Sequence, residues 1–379
     1  MDDQRFQNEQ SVSDVENASK ISDVQVTGNI LSCVKEKANT PSRIIVEYLL
    51  RKVPDFRRLS ELREQGWNNP EGDRFFENQR QAADNADKKT EKEFYKMMKT
   101  IAYDMHRVTG VFHIKNPYRD GCSVLDMCMA PGGFLAIALS CNPEAQALAF
   151  SLPRIDGGHR VLLPKRPNVT LKFLDVTMLA EDMGLSSIPH EHPDAGNFLP
   201  SQLDPGQSFD LIICDGQVLR NHGRADYRER TEASRLCLTQ LTIALNHLNP
   251  GGTIIVLLHK VEALATVQLL QTFDKFASVQ LFKHTRFHAK RSSFYMLATN
   301  IRADSEDTKT AIERWKFQWN IATFGTDEDY CGVIRLDMSD VEVLLKKFGP
   351  RLISLGRKIW EIQANALENA PFIRRTLSS

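Results

Sequence analysis

Residues 124–134 decide the fold, and they read Val124-Leu125-Asp126-Met127-Cys128-Met129-Ala130-Pro131-Gly132-Gly133-Phe134. The pattern predicts an apolar strand that runs into Asp126, then a tight turn, and then a helix that begins at Gly133. Two glycines at such a turn allow a ligand to lie against bare backbone, and the unpaired N–H groups at a helix start attract a carboxylate or phosphate. In an open α/β sheet, ligands bind in this crevice. The stretch therefore predicts a ligand site, with a purely structural β-turn-α as the alternative.

The chain on both sides of this turn alternates short apolar runs with longer helical stretches. Strands are predicted at Ser123–Met127, Ala147–Leu152, Val169–Leu174, Phe209–Cys214, Thr253–Leu258, Val279–Phe282 and Phe294–Ala298. Helices are predicted at Gly133–Ser140, Arg228–Leu248 and Val261–Phe276. Apolar strands that alternate with helices are typical of a parallel sheet covered on both faces. The sequence therefore predicts an α/β protein.

Motif and composition together exclude several classes of protein. The turn has neither the GxGxxG spacing of a dinucleotide site nor the Lys-Ser/Thr of a phosphate loop. The chain carries 48 Lys+Arg and 48 Asp+Glu, so its net charge is zero, which argues against a general polyanion binder but permits a local basic cleft. Hydrophobic residues make up 42% of the 379 residues, which excludes a wholly disordered or fibrous protein.

The sequence also predicts how the chain is organised and where it works. Seven cysteines, an odd number without a CxxC pair, argue against a disulfide framework or a zinc ribbon and favour a reducing compartment. The polar start resembles neither a secretory signal nor a mitochondrial presequence, and no stretch is long enough to span a bilayer. We therefore expect an intracellular protein of the nucleus or cytoplasm that does not bind membranes, and the oligomeric state stays open. The predicted parts are a disordered tail at 1–40, a helical extension at 41–93, an α/β domain at 94–302 with a loop insertion at 186–208, and a second helical extension at 303–379.

Four segments of the α/β domain resemble a known family in the same order. Asp126 through Phe134 resembles the S-adenosylmethionine motif of FtsJ-like RNA ribose 2′-O-methyltransferases, which typically carry Asp-x-x-x-x-Pro-Gly-Gly-Phe/Trp. The family's fourth, fifth and last strands resemble Phe209–Gly216, Asn249–Val256 and Arg291–Ala298. The match covers residues 94–302. It implies a Rossmann-like class I methyltransferase fold with a mainly parallel seven-stranded sheet, S-adenosylmethionine as the cofactor, and RNA as the partner.

The resemblance also implies which residues hold the cofactor. Asp175 matches the family acid that accepts a hydrogen bond from the adenine amino group, and a turn aspartate at a strand end is the alternative. The acid nearest to the ribose-binding position is Asp156. The implied cofactor residues are Asp126, Ala130, Pro131, Gly132, Gly133, Phe134, Asp175 and Asp215.

The family's chemistry uses a Lys-Asp-Lys-Glu set, because a ribose hydroxyl is a poor nucleophile and a lysine with a lowered pKa helps to deprotonate it. The resemblance places the first lysine at Lys99 and the aspartate at Asp215. The positions of the second lysine and the glutamate hold Leu257 and Ser293. The set is therefore incomplete. The candidates for a relocated set are Lys260, three residues after Leu257, His259 and Lys99, and Lys99 is the leading candidate for the base.

Residues 283–291 form the most basic stretch of the chain, and the resemblance places this loop beside the active cleft. Basic side chains around Phe287 suit contacts with RNA phosphates and bases, and a solvated connection between strands is the alternative. The predicted substrate contacts are Lys283, Arg286, Lys290 and Arg291. His190 and His192 lack the spacing of metal ligands, so no metal site is expected.

Three functions are open on these observations. The first is an S-adenosylmethionine-dependent methyltransferase, with RNA ribose as the favoured acceptor. The second is a catalytically inactive FtsJ-like fold that binds cofactor or RNA as a scaffold, which Leu257 and Ser293 favour. The third is a methyltransferase that acts on a small molecule or a protein.

Overall fold

A seven-stranded sheet lies at the centre of the protein. The computed structural model describes residues 41–75, 77, 88–115, 121–219, 222–334 and 337–374, so the predicted tail at 1–40 lies outside the described residues. All seven strands occur at their predicted places, although β5 begins at Leu248 rather than Thr253. The strands are β1 Ser123–Asp126, β2 Gln146–Ser151, β3 Val169–Phe173, β4 Phe209–Cys214, β5 Leu248–His259, β6 Ser278–Phe282 and β7 Ser293–Thr299.

The strand order is β3-β2-β1-β4-β5-β7-β6. Strands β1 to β5 pair in parallel, whereas β7 is antiparallel to both β5 and β6. The central strand β4 is buried at every position, as a parallel strand with helices on both faces requires. The predicted Rossmann-like class I methyltransferase fold is therefore confirmed.

Helices cover both faces of the sheet and form two apolar cores. Helices α3 and α4 pack on one face, and α5 and α6 pack on the other together with the terminal extensions. Helix α3 begins at Lys88, so it crosses the predicted domain boundary at residue 94. The helices are α1 Pro41–Lys52, α2 Pro54–Trp67, α3 Lys88–Thr109, α4 Gly133–Cys141, α5 Glu232–Asn246, α6 Leu264–Asp274, α7 Glu306–Phe324, α8 Asp327–Ile334, α9 Met338–Glu368 and α10 Pro371–Arg374.

The two helical extensions pack against each other and against the α/β domain. The rings of Phe56 in α2 and Trp360 in α9 lie 5.2 Å apart. Arg63 in α2 forms a 2.6 Å ion pair with Glu262, which follows β5, and the Trp360 indole donates to the same carboxylate at 3.3 Å. The extensions therefore fix the segment after β5, although the domain boundaries stay predictions.

The predicted insertion at 186–208 is docked on helix α7. His192 contacts Tyr227 and Phe324, with ring centroids 4.7 and 4.9 Å apart. Its Nε2 lies 3.2 Å from the Thr323 carbonyl oxygen, which suits a donated N–H, while its Nδ1 accepts the Asp194 N–H at 3.2 Å. His192 is therefore a packing residue, because both ring nitrogens are used within the fold.

The cysteines and the described helices bear on the expected environment of the chain. Cys122, Cys128, Cys141, Cys214 and Cys237 are free thiols, whereas Cys331 is disulfide-bonded. The expectation of a reducing compartment stays a prediction. Among the described helices, none combines the length and the apolar character needed to cross a membrane.

Candidate cofactor and active site

The turn after β1 is tied to both neighbouring strands. The Met127 N–H donates to the Ile213 carbonyl in β4 at 3.0 Å, and the Met129 N–H donates to the Phe150 carbonyl in β2 at 2.8 Å. The turn therefore sits at the carboxyl edge of the three central strands, where the order of the sheet opens a crevice.

The two glycines of the turn are needed because other parts of the chain approach closely. Gly132 has a φ of +103°, and a Cβ there would lie 2.9 Å from the Cβ of Leu163. A Cβ on Gly133 would lie 2.5 Å from the Cβ of Met98 in α3. The glycines thus allow the turn to pack between α3 and the loop that follows β2.

A cavity of about 170 Å³ opens at this edge of the sheet. The turn, α3, the loop after β2, the end of β3 and the segment after β4 all contribute to its wall. Of the predicted cofactor residues, Ala130, Asp175 and Asp215 line it, while Phe134 packs on Tyr295 with ring centroids 5.2 Å apart. The other predicted cofactor residues belong to the turn but do not line the cavity: Asp126, Pro131, Gly132 and Gly133. The other lining residues include Phe94, Met98, Ser151, Leu152, His159, Leu174, Val176, Leu219, His222, Glu232, Leu257, His288 and Tyr295.

Two buried carboxylates stand at the ends of β1 and β4. Asp126 is 1% exposed and Asp215 is 9% exposed, and Asp126 pairs in register with Ile213, two residues before Asp215. Burial raises the pKa of both carboxyls, and the neighbouring Asp215 raises that of Asp126 further. Oδ1 of Asp215 is buried and has no hydrogen-bond partner among the described residues. Asp215 therefore combines a place in the cavity wall with an unused hydrogen-bond acceptor.

A network of charged side chains closes the other end of the cavity. Arg228 Nη2 donates to Asp175 Oδ2 at 2.6 Å and to Glu232 Oε1 at 2.5 Å. His222 Nε2 lies 3.3 Å from Asp175 Oδ2. The other Asp175 oxygen accepts the N–H and the hydroxyl of Thr177 at 3.0 and 2.8 Å. Both oxygens of Asp175 are therefore already engaged within the protein.

The network keeps the carboxyl group of Asp175 ionised. Burial works against the charge on Asp175, but His222 and Arg228 outweigh it and hold the pKa of Asp175 well below its usual range. Potential ligand atoms of Asp175, His222 and Glu232 lie within 4.8 Å of one another, as a metal site would require. The Arg228 guanidinium already binds the two carboxylates, so it supplies the positive charge there.

The positions of the family's catalytic set are divided between the cavity and its surroundings. Asp215 and Leu257 line the cavity, so the second lysine position holds an apolar side chain at the site itself. Lys99 is exposed, with its Nζ 5.7 Å from the centroid of the Tyr95 ring. Neither Lys99 nor Lys260 lines the cavity, and Ser293 is buried in β7, outside the cavity wall.

The basic stretch 283–291 is mostly internal to the fold. Lys283 is buried, and its Nζ donates to the carbonyls of His288, Arg291 and Ser293 at 3.0, 2.6 and 2.7 Å. The side chain of Arg291 is buried as well. These two side chains are therefore not presented to RNA, and the predicted RNA contact stays a prediction for the exposed Arg286 and the partly exposed Lys290.

Sequence reasoning missed several residues that line or support the cavity. His159 lines it although no motif marked this residue, whereas His288, which also lines it, belongs to the basic stretch 283–291 and was not predicted as a site residue. Arg228, Glu232 and Arg235 are spaced so that they lie on one face around the start of an apolar helix, and all three are buried. Charged residues at this spacing in an otherwise apolar segment indicate a buried network of ion pairs.

A model of the FtsJ-like methyltransferase family matches residues 87–301. The chain belongs to this family. It is 25% identical over 178 residues to a cap-specific mRNA (nucleoside-2′-O-)-methyltransferase of Autographa californica nuclear polyhedrosis virus. That match covers 46% of this chain and 63% of the viral protein, so the chain spans less than two thirds of its relative.

Solved methyltransferases are similar to this FtsJ-like chain over much of its length. Human methyltransferase-like protein 13 in complex with SAH aligns with a TM-score of 0.32 at 11% identity, over 59% of this chain and 91% of its own. An O-methyltransferase family protein from Burkholderia thailandensis aligns with a TM-score of 0.30 at 12% identity, over 69% and 71% of the two chains. Because both scores are low, the fold assignment rests on the strand order described above.

Proposed function

We propose that the protein is an S-adenosylmethionine-dependent methyltransferase that acts on a ribose 2′-hydroxyl of RNA. The observation that carries the proposal is the cavity at the ends of β1 and β4, with the unpartnered buried oxygen of Asp215 in its wall. Membership of the FtsJ-like family supports the reaction class. The viral relative, whose name specifies a nucleoside 2′-O-methyltransferase of mRNA, supports the choice of acceptor.

The cavity fits the proposed cofactor in chemistry. The apolar side chains of Leu152, Leu174 and Val176 suit the faces of an adenine ring, and Oδ1 of Asp215 suits a donor or a positive charge. Because Asp175 is engaged by Arg228 and Thr177, its role in our proposal is to hold the adenine end of the wall in shape. When bound, S-adenosylmethionine supplies an electrophilic methyl group.

Asp215 is the proposed general base. It lies in the cavity wall, and burial raises its pKa toward the range in which a carboxylate can accept a proton near neutral pH. Leu257 stands where the family has its second lysine, and Lys99 lies outside the wall. Asp215 would take the proton of the ribose hydroxyl, while the apolar Leu257 and the Tyr295 ring exclude water beside it.

Binding of S-adenosylmethionine tests the cofactor part of the proposal. We expect calorimetric titration of the wild type to give saturable binding, and Gly132→Ala to weaken it about tenfold or more. The alanine would be forced into a left-handed conformation, which costs roughly 1–2 kcal/mol, and its Cβ would push against Leu163.

Gly206→Ala is the matched control for this titration. Gly206 also has a positive φ, of +82°, but nothing lies within 4 Å of the position that its Cβ would take. It lies in the insertion, outside the cavity wall. Equal affinities of wild type and Gly132→Ala, or a loss in both variants, would contradict a cofactor site at the turn.

A second candidate function is favoured by the residue at position 257. A leucine in the cavity, where the family carries a lysine, suits a protein that binds cofactor or RNA without transferring a methyl group. Mass spectrometry of RNA nucleosides after incubation separates the two candidates. A wild type that binds S-adenosylmethionine yet adds no methyl group to RNA would favour the scaffold, or a small-molecule or protein acceptor.

A further inference from the structure

The loop between β2 and β3 carries an exposed group of basic side chains that no motif marked. Residues 153–168 contain four basic residues and a single acid, Asp156, in a chain of zero net charge. All four basic side chains are exposed. Ile155, between them, is 94% exposed. We call this group the basic rim; its members are Arg154, Arg160, Lys165 and Arg166.

The charges of the basic rim are not neutralised within the described part of the protein. No ion pair there joins a rim side chain to a carboxylate. Exposed bases elsewhere commonly have such a partner, as in the pairs Lys96–Glu93 at 2.9 Å, Lys309–Glu306 at 2.7 Å and Lys358–Glu361 at 3.0 Å. The rim therefore projects a positive potential beside the cavity.

The rim is held in place beside the cavity. The Gly158 N–H donates to the Pro153 carbonyl at 2.9 Å, and the Leu162 N–H donates to the carbonyl of Pro131 in the glycine turn at 2.9 Å. Gly158 and His159, from the middle of the loop, line the cavity. Because the loop is already folded, binding a ligand here costs little ordering entropy.

Helix α3 continues the positive surface on the other side of the glycine turn. The His159 and Phe94 rings lie 6.1 Å apart, which joins the loop to α3. Arg166 is near enough to Tyr95 for its charge to oppose the rise in the tyrosine pKa that burial causes. Lys99 is exposed over the same Tyr95 ring. Positive side chains thus extend from the loop to α3 past the cavity.

We propose that the basic rim binds the phosphates of single-stranded RNA and guides the acceptor strand to the cavity. This inference rests on the proposed function, since it names where that substrate is held. Guanidinium and ammonium groups bind phosphate oxygens without reading sequence, and the bare side chain of Ile155 offers an apolar contact for an unstacked base. The predicted loop 283–291 is not needed for this contact, because Lys283 and Arg291 are buried.

The test is RNA binding as a function of salt. Fluorescence anisotropy with a short fluorescein-labelled single-stranded RNA measures the affinity of the full chain at several KCl concentrations. We expect the triple variant Arg160→Ala, Lys165→Ala, Arg166→Ala to bind at least about tenfold more weakly. Its slope of log affinity against log salt should fall by about 2, since each phosphate contact contributes roughly 0.7 on a single strand.

The matched control removes the same charge from a distant surface. Lys346, Lys347 and Arg357 are exposed on α9 in the carboxyl-terminal extension, and their triple alanine variant should bind RNA as the wild type does. An unchanged affinity and salt slope in the rim variant would overturn the proposal. So would a rim variant that loses binding to vesicles of phosphatidylserine and phosphatidylcholine while its RNA affinity is unchanged.

The measurements distinguish a failure of the proposed RNA binding by the rim from a failure of the proposed methyl transfer. If the wild type binds S-adenosylmethionine but no RNA, the proposed RNA-binding role of the basic rim is wrong. The protein would then be a methyltransferase that acts on another acceptor. RNA binding that depends on the rim, in a protein that transfers no methyl group, supports the rim and removes the catalytic proposal. Calorimetry with S-adenosylmethionine should give equal affinities for wild type and rim variant, which shows that the variant is folded.

Discussion

Replacing Asp215 by asparagine is expected to lower methyl transfer to RNA by roughly 10²–10⁴-fold, the usual contribution of a positioned general base. Asparagine keeps the size of the side chain but cannot accept a proton. Because Asp215 is buried in the cavity wall, water cannot readily replace it there. Affinity for S-adenosylmethionine should change much less than the rate, so the loss appears in kcat rather than in the binding constant.

The pH dependence of methyl transfer is a second test of Asp215 as the general base. Burial raises the pKa of Asp215, and only the ionised carboxylate can act as a base. The rate should therefore rise with pH, with an inflection above the ordinary carboxyl range of ~4. Asp215→Asn should remove this inflection together with the activity.

The contribution of Asp215 to stability depends on pH in the opposite direction to the rate, because it falls as the pH rises. A carboxyl whose pKa is raised on folding stabilises the native state fully below its unfolded pKa. That contribution is lost as the pH rises through the raised folded value. Urea unfolding should therefore show Asp215→Asn gaining stability relative to the wild type as the pH increases from ~4 toward neutrality.

Two further variants make the assignment testable. Asp156→Asn is the control, because Asp156 is exposed in the loop after β2 and does not line the cavity; its rate should match the wild type. Lys99→Ala tests the base that the family resemblance implies. A large loss of methyl transfer with Lys99→Ala, and no loss with Asp215→Asn, would show that Lys99 rather than Asp215 is the general base.

The sequence predicted the sheet because its central strands are mostly apolar. Residues 209–214 have the pattern of a buried strand, and every one of them is buried. Strand ends are also marked locally, so the sequence alone places Asp126 and Asp215 at one edge of the sheet. A parallel sheet can therefore be predicted from its sequence almost directly, including its carboxyl edge.

The environment of individual side chains could not be predicted in this way. Lys283 looks like an exposed base in the sequence, but three backbone carbonyls surround its ammonium group. Arg228 is the first residue of a predicted helix, yet its side chain lies between Asp175 and Glu232. Arg228 meets Asp175, which lies 53 residues away along the chain, and Lys283 meets carbonyls 5 to 10 residues away across a loop. The spacing of charged residues can indicate burial, but it does not identify a distant partner or the path of a loop.

Replacing Arg228 by alanine is expected to destabilise the protein by about 3–5 kcal/mol, the usual cost of removing one partner from a buried ion pair. Arg228 is 5% exposed, and its guanidinium bridges Asp175 and Glu232. Without it, two carboxylates stay in a buried site, where His222 and Arg235 offset only part of their charge. Urea unfolding at neutral pH measures the loss.

The size of this loss should depend on pH. His222 and Arg228 hold the pKa of Asp175 below its usual range against the effect of burial. That contribution to stability is present above the unfolded pKa of ~4 and is lost as the pH falls through the lowered folded value. The difference between wild type and Arg228→Ala should therefore be full at neutral pH and should narrow at acidic pH.

Two variants separate the buried network from a general effect of arginine loss. Arg74→Ala removes an exposed pair with Glu71 and should cost no more than about 1 kcal/mol. Arg228→Lys keeps the charge but cannot bridge two carboxylates with a planar fork, so its stability should lie between those of wild type and Arg228→Ala. A loss for Arg228→Ala no larger than that for Arg74→Ala would contradict the network. Because Asp175 and Glu232 line the cavity, Arg228→Lys should also weaken binding of S-adenosylmethionine, which connects the stability of this network to the proposed site.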